Sequence, residues 1–271
     1  MFESKTNTVL QSRLPLNIGV STRALFDLEE EHALFEAEGV AAYSELQRAR
    51  EKTPLKPGAA FEVVRRLLAL NPDAGERLVE VIVLSRNSPD LSLRAAVAAG
   101  ARLGSALNVA DQAPFDEVWF AFDGDAVVFS AESDLIYKEQ GLEKFLEHEI
   151  RNAEILMSPG SFGKSFLPKL AELRKRFMRP DGTSRIRTAI VTARNAPAYE
   201  RVIQTLRSWG TPADEAHFVG GHEKAPILAA TGAHIFFDDQ ECHIDGASGV
   251  VPAGLVPGPH DPDAPVIPAS N

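Results

Sequence analysis

The sequence is poor in cysteine, in basic charge and in long apolar runs. Its single cysteine, Cys242, excludes an internal disulfide framework and fits a reducing cytoplasm. No apolar stretch approaches the ~18 residues of a membrane span, so no membrane partner is expected. The N-terminal "MFESKTNTVLQSRLPLN" lacks a signal peptide's apolar core, which also points to a cytoplasmic location. Lys and Arg number 28 against 38 Asp and Glu, a net charge of −10. That balance argues against a nucleic-acid-binding surface. It leaves a small anionic substrate open, because a local site can oppose the global charge.

What is present is ordinary for a globular protein: 271 residues, 44% apolar and 24% charged, enough for one large α/β domain or two small ones. Six short apolar runs read as buried strands: 16–20, 78–85, 117–122, 187–193, 216–221 and 234–239. Helical patterns lie between most of them, as at 58–70, 166–177 and 197–209. Strands alternating with helices predict an α/β fold with a doubly wound, mostly parallel sheet of Rossmann type. Residues 1–14 are expected to be a mobile arm. The stretch from Val251 to Asn271 holds six prolines and is expected to be mostly irregular, with a tail over 258–271.

The chain also resembles itself. Residues 20–43 align with 122–145 at an offset of 102, pairing Gly39 with Gly141 and Phe35 with Tyr137. "VIVLSRNSP" (81–89) then aligns with "AIVTARNAP" (189–197) at an offset of 108. A duplication is expected, with a degenerate α/β repeat over 15–116 and a catalytic core over 117–257. In the first copy Ser21 and Arg23 stand where the second has Asp123 and Asp125. The second copy should therefore carry the chemistry.

Ligands of open α/β sheets sit beyond the carboxyl ends of the strands. Four predicted strand ends deliver polar groups there: Asp123 and Asp125 after "WFAF", Thr192 after "TAIV", Lys224 after "AHFVGG", and Asp238 with Asp239 after "HIFF". A turn at Gly124 would let both acids of the first pair reach one site. Close carboxylates repel, and a hard cation such as Mg²⁺ relieves the repulsion while binding phosphate oxygens. A carboxylate can then attack phosphorus, while a lysine and a hydroxyl hold the transferring oxygens.

"FDGDAVVF", "VTARNA", "GGHEKAPIL" and "HIFFDDQ" resemble the four motifs of the haloacid dehalogenase-like (HAD) phosphohydrolases. More narrowly, "AFDGDAVVFSAESD", "TLRSWG", "HIFFDDQ" and, in the first half, "VSTRALFDLEEE" and "LSRNSPD" resemble the cytosolic 5′-nucleotidase I family over roughly 15–257. The resemblance implies Asp123 as nucleophile, Asp125 as general acid and base, and Thr192 and Lys224 as phosphate-binding groups. It implies a Mg²⁺ site drawn from Asp123, Asp125, Asp238 and Asp239, and nucleoside 5′-monophosphates as substrates. Gly124, Ala193, Arg194 and Asn195 are assigned to substrate contact; for Arg194 and Asn195 an ion pair or cap is an equal alternative. Residues 131–186 fall where such enzymes place a cap. The alternatives are a phosphatase for another small ester, such as a sugar phosphate, or a nucleotide-binding regulator without turnover. One departure is that only 91–116 separate "LSRNSPD" from the "FDGD" strand, shorter than the family pattern. Homo-oligomers are left open.

Two further clusters are set aside. "CHID" (242–245) offers two soft ligands without a second pair, a poor zinc site. "SPGSFGKS" (158–165) lacks P-loop spacing and is expected to be a flexible part of the cap.

Overall fold

The computed structural model describes residues 15–50, 53–72, 77–84, 94–95, 117–194, 198–220 and 222–258. The expected arm over 1–14, the tail beyond 258, Asn195 and nearly all of 91–116 lie outside the described residues.

All six apolar runs are strands. The second half builds a five-stranded parallel sheet in the order β7-β6-β5-β8-β9, from β5 (Val118–Phe122), β6 (Ile186–Thr192), β7 (Glu215–Phe218), β8 (Ile235–Asp238) and β9 (Ala253–Leu255). Central β5 shows why the runs are continuously apolar: both faces are covered. Phe120 and Phe122 face one way, onto Phe166 (ring centroids 5.5 and 6.1 Å) and Phe162 of α5 (Ser161–Arg176). Val202 and Leu206 of α6 (Tyr199–Ser208) join the same core. Ala121 faces the other way and packs in a smaller cluster with Leu228 of α7 (Ala225–Thr231) and Ala247 of α8 (Glu241–Ser248). The α/β, mostly parallel architecture thus agrees with the sequence reading.

Strand β9 lies in the stretch expected to be irregular. Its backbone pairs with β8, and Val256 N–H donates to the Asp238 carbonyl oxygen (2.8 Å). Proline is tolerated here because Pro252 precedes the strand, and its carbonyl oxygen accepts from Phe236 N–H (2.9 Å).

The segment 131–186, expected to form a cap, divides in two. α5 is a core helix: Leu167, Leu170 and Leu173 are buried against the sheet, so "SPGSFGKS" is the entry to that helix. Only α4 (Glu132–Arg151) stands apart, bracketed by an antiparallel bridge between Phe129 and Pro159. α4 folds back on itself at Gly141 (φ 81°, ψ 179°). Ser133 and Glu149 would be about 24 Å apart in a straight helix at ~1.5 Å per residue, yet their side chains hydrogen-bond at 2.7 Å.

The first half opens in the same way. β1 (Leu16–Ser21) pairs in parallel with β4 (Val79–Leu84). A helical turn α1 (Thr22–Leu25) leads to an antiparallel pair of β2 (Phe26–Asp27) with β3 (Lys56–Pro57). Between them α2 (Glu29–Ala49) folds back at Gly39 (φ 81°, ψ −170°), bringing Arg50 to Glu30 at 2.6 Å. α3 (Phe61–Leu68) then buries Phe61, Val63, Val64 and Leu67 in one core with Leu16, Val79, Val118 and Phe120. At the offset of 102, Phe35 against Tyr43 mirrors Tyr137 against Phe145, both edge-on at 6.0 and 6.1 Å. Gly58 and Gly160 correspond too, and in each a Cβ would collide with backbone.

Candidate active site

Because the strands of the five-stranded sheet are parallel, their carboxyl ends share one edge. Asp123 follows β5 directly, and its N–H donates to the Phe237 carbonyl oxygen (2.8 Å), extending the pairing with β8. Asp238 ends β8 itself. Lys224 sits just before α7, at the end of the loop that returns from β7. Its Nζ donates to Asp123 Oδ1 and to Asp238 Oδ2, both at 2.7 Å. All three side chains are buried.

Carboxylate oxygens of Asp123, Asp238 and Asp239 lie within 4.8 Å of one another. Hard oxygen donors at this spacing fit a Mg²⁺ ion, and Lys224 occupies only one oxygen each of Asp123 and Asp238. The electrostatics show the strain of the arrangement. Burial pushes the Asp123 carboxyl up to about 7; Lys224 opposes this, and Asp238 and Asp125 add repulsion. Burial also raises Asp239, helped by Asp238 and by Asp134 of α4. Asp238 moves the other way: burial acts against its charge, but His243, Lys224 and the Gln240 N–H outweigh it and hold the carboxyl low. Lys224 loses to burial but gains more from its two aspartates, so it stays protonated.

The sequence reading places four carboxylates at the metal; the structure gathers three. The Asp125 carboxylate turns instead to Arg194, which forks onto it through Nε (2.8 Å to Oδ2) and NH2 (2.7 Å to Oδ1). Arg194 is thus in the ion pair that competed with a substrate role for it. The loop carrying these acids is a wide turn in which Phe129 N–H donates to the Gly124 carbonyl oxygen (2.8 Å). Its left-handed residue is Ala126 (φ 60°), not Gly124. The need for glycine at 124 is close approach: a Cβ there would lie 3.0 Å from Thr192 Oγ1. That places the Thr192 hydroxyl, at the buried end of β6, beside the Asp-Gly-Asp turn. Ala193 is exposed in the bend that follows.

Two contributors escaped the sequence reading. His243, in the cluster set aside for zinc, places Nδ1 3.1 and 3.2 Å from the two Asp238 oxygens. The signal was its position in the first turn of the helix that follows "FFDD". Glu149 of α4 is fully buried and accepts from Ser133 Oγ (2.7 Å), Arg194 NH1 (2.5 Å) and Arg201 NH1 (3.0 Å). Burial alone would raise its carboxyl, but the two arginines and Ser133 hold it low. No spacing rule points to a glutamate 45 residues before its arginine.

A cavity of about 730 Å³ opens beside Ala126, lined in part by Phe162, Lys164, Phe166 and Val256. Its size suits a small ligand, but none of the clustered carboxylates lines it.

A profile of the 5′-nucleotidase family matches residues 8–103 and 93–262. The division falls within the short 91–116 segment. Human cytosolic 5′-nucleotidase 1B is 31% identical over 288 aligned residues, covering 86% of this chain and 47% of that protein. The chain thus spans about half the length of this relative. No solved structure matches. Among the described residues, no helix is long and apolar enough to cross a membrane. The profile covers most of the chain and, with this relative, shows that the chain belongs to the cytosolic 5′-nucleotidase I family.

Proposed function

We propose that the protein is a cytosolic, Mg²⁺-dependent 5′-nucleotidase that hydrolyses nucleoside 5′-monophosphates through an aspartyl-phosphate. The observation that carries this reading is the convergence of Asp123, Lys224, Asp238 and Asp239 on one sheet edge, with Thr192 beside the turn. Asp123, Asp238 and Asp239 would hold Mg²⁺, which when bound neutralises phosphate charge. Asp123 Oδ attacks phosphorus and the P–O5′ bond breaks. Asp125 gives a proton to the departing O5′, then takes one from water, which attacks the phosphoaspartate and releases phosphate. Thr192 and Lys224 hold the transferring oxygens through both steps. Gly124, Ala193 and Asn195 remain assigned to the substrate's surroundings. The first half, 15–116, is a degenerate copy of the same unit. The lid over the leaving group is α4 rather than the whole of 131–186, in line with the nearness of Asp134 and Lys138 to Asp239.

Phosphate release from a nucleotide panel, with Mg²⁺ or with chelator, tests the reading. Asp123→Asn should lose at least ~10³-fold in kcat, as expected for a missing nucleophile, and keep its fold by circular dichroism. Full activity in chelator, or undiminished turnover by the variant, would reject the mechanism.

A further inference from the structure

Asp125 is the group that must meet both the departing O5′ and the attacking water, so its aim matters in both steps. The structure fixes that aim from a distance. Arg194 spends one edge on Asp125, through Nε and NH2, and its remaining nitrogen NH1 on Glu149. Its guanidinium also lies over the Phe145 ring of α4, 5.5 Å from the centroid. Glu149 is in turn held from two sides, by Ser133 from the other arm of α4 and by Arg201 from α6. Arg201 is anchored by its own bond from Nε to the Ile155 carbonyl oxygen (2.8 Å). Arg194, Arg201 and Glu149 are all buried, so this is a fixed lattice rather than a surface pair.

We propose that Glu149 is a positioning residue for the hydrolytic reaction: through Arg194 it aims the Asp125 carboxyl, and so couples the folded-back state of α4 to proton transfer. This rests on the nucleotidase reading above, in which Asp125 is the acid and base. A helix that only covered the site would have no need for a buried carboxylate facing two arginines. Replacing such an ion network by apolar side chains would often be neutral for stability. Here the network ends on the one acid of the Asp-Gly-Asp turn that stays out of the metal cluster.

The test compares a nucleoside 5′-monophosphate with its 5′-S-phosphorothiolate analogue, in which sulfur replaces the bridging oxygen. The leaving thiolate departs without a proton, so the analogue needs much less of the acid. Glu149→Gln keeps the shape but removes the charge and turns one of the two acceptor oxygens into a donor. Its kcat/KM on the natural ester, which reports the leaving-group step alone, should fall by about 10-fold or more, within the ~10²–10⁴ that general acid catalysis supplies. kcat/KM on the thio analogue should stay within about two-fold, because its first step needs no acid; the base-catalysed second step is common to both substrates and does not enter this ratio. Equal losses on both substrates, or no loss on either, would overturn the proposal. If Glu149→Gln does not fold, Ser133→Ala removes one bond to Glu149 and should show the same split at smaller size; its absence there is equally decisive. A wild-type protein inactive on both esters would instead reject the nucleotidase reading.

Discussion

Asp123 and Asp125 are two residues apart and live in different surroundings. One is buried against Lys224 and two acidic neighbours; the other is clasped by Arg194. The chemical order Asp-x-Asp, Thr, Lys, Asp-Asp was legible because the acids and the threonine stand at strand ends, with Lys224 in the short loop after β7, and a parallel sheet brings strand ends together. An ion pair for Arg194 was one of two readings, but its link onward to Glu149 was not legible, since that depends on a helix folding back. Nor was the use of Gly124: its sequence position suggested a turn, whereas the Thr192 hydroxyl sets the requirement. His243 makes a testable point at this scale. Partners behind a metal ligand typically contribute ~10–100-fold in metal affinity. His243→Ala frees an oxygen of Asp238 to turn, so half-maximal activity should need about 10-fold more Mg²⁺, with kcat at saturation nearly kept. A magnesium titration of initial rates measures this; an unchanged half-point would make His243 a bystander.

The two folded-back helices are the most instructive elements. Gly39 and Gly141 combine φ of 81° with ψ near 180°, a region essentially confined to glycine. Neither glycine would bring a Cβ against a neighbour, so the cost of alanine there is conformational. Each Gly→Ala change should cost about 1–3 kcal/mol in denaturant unfolding. Their effects on activity should differ. Gly141→Ala pulls Ser133 from Glu149 and should lower kcat, whereas Gly39→Ala, in the half without the acids, should leave kcat alone. Equal kinetic losses would show that the first half has a catalytic part. The self-comparison had matched these glycines, but sequence alone gave no reason for them. The pattern over 166–177 did predict a helix, while Phe162 fell in a stretch expected to be flexible, and nothing in the pattern said whether that helix faced a sheet or a substrate.

On the scale of the whole molecule, the five-stranded sheet and the β1–β4 pair share one hydrophobic core, through α3 and α5. At this seam Arg66 of α3 donates from NH1 to the Glu117 carbonyl oxygen (2.9 Å), at the entry to β5. Next to it, His234 Nδ1 accepts from Trp119 N–H (2.9 Å), so the ring is needed neutral. Burial, with Arg66 nearby, lowers the His234 pKa to about 4. The unfolded chain binds that proton near pH 6.5 and the folded protein only near 4. The stability His234 contributes is therefore full above pH 6.5, falls as pH drops from 6.5 towards 4, and changes no further below that. Allowing for solvent screening of a half-buried ring, the loss should be about 1–2 kcal/mol. Since the seam joins both halves, unfolding should be one transition at each pH, with tryptophan fluorescence and far-ultraviolet circular dichroism coincident. His234→Gln, an amide that can still accept from Trp119, should flatten this segment of the pH curve. If the two probes separate, the halves unfold independently. If the variant keeps the slope between pH 6.5 and 4, another group carries the acid sensitivity.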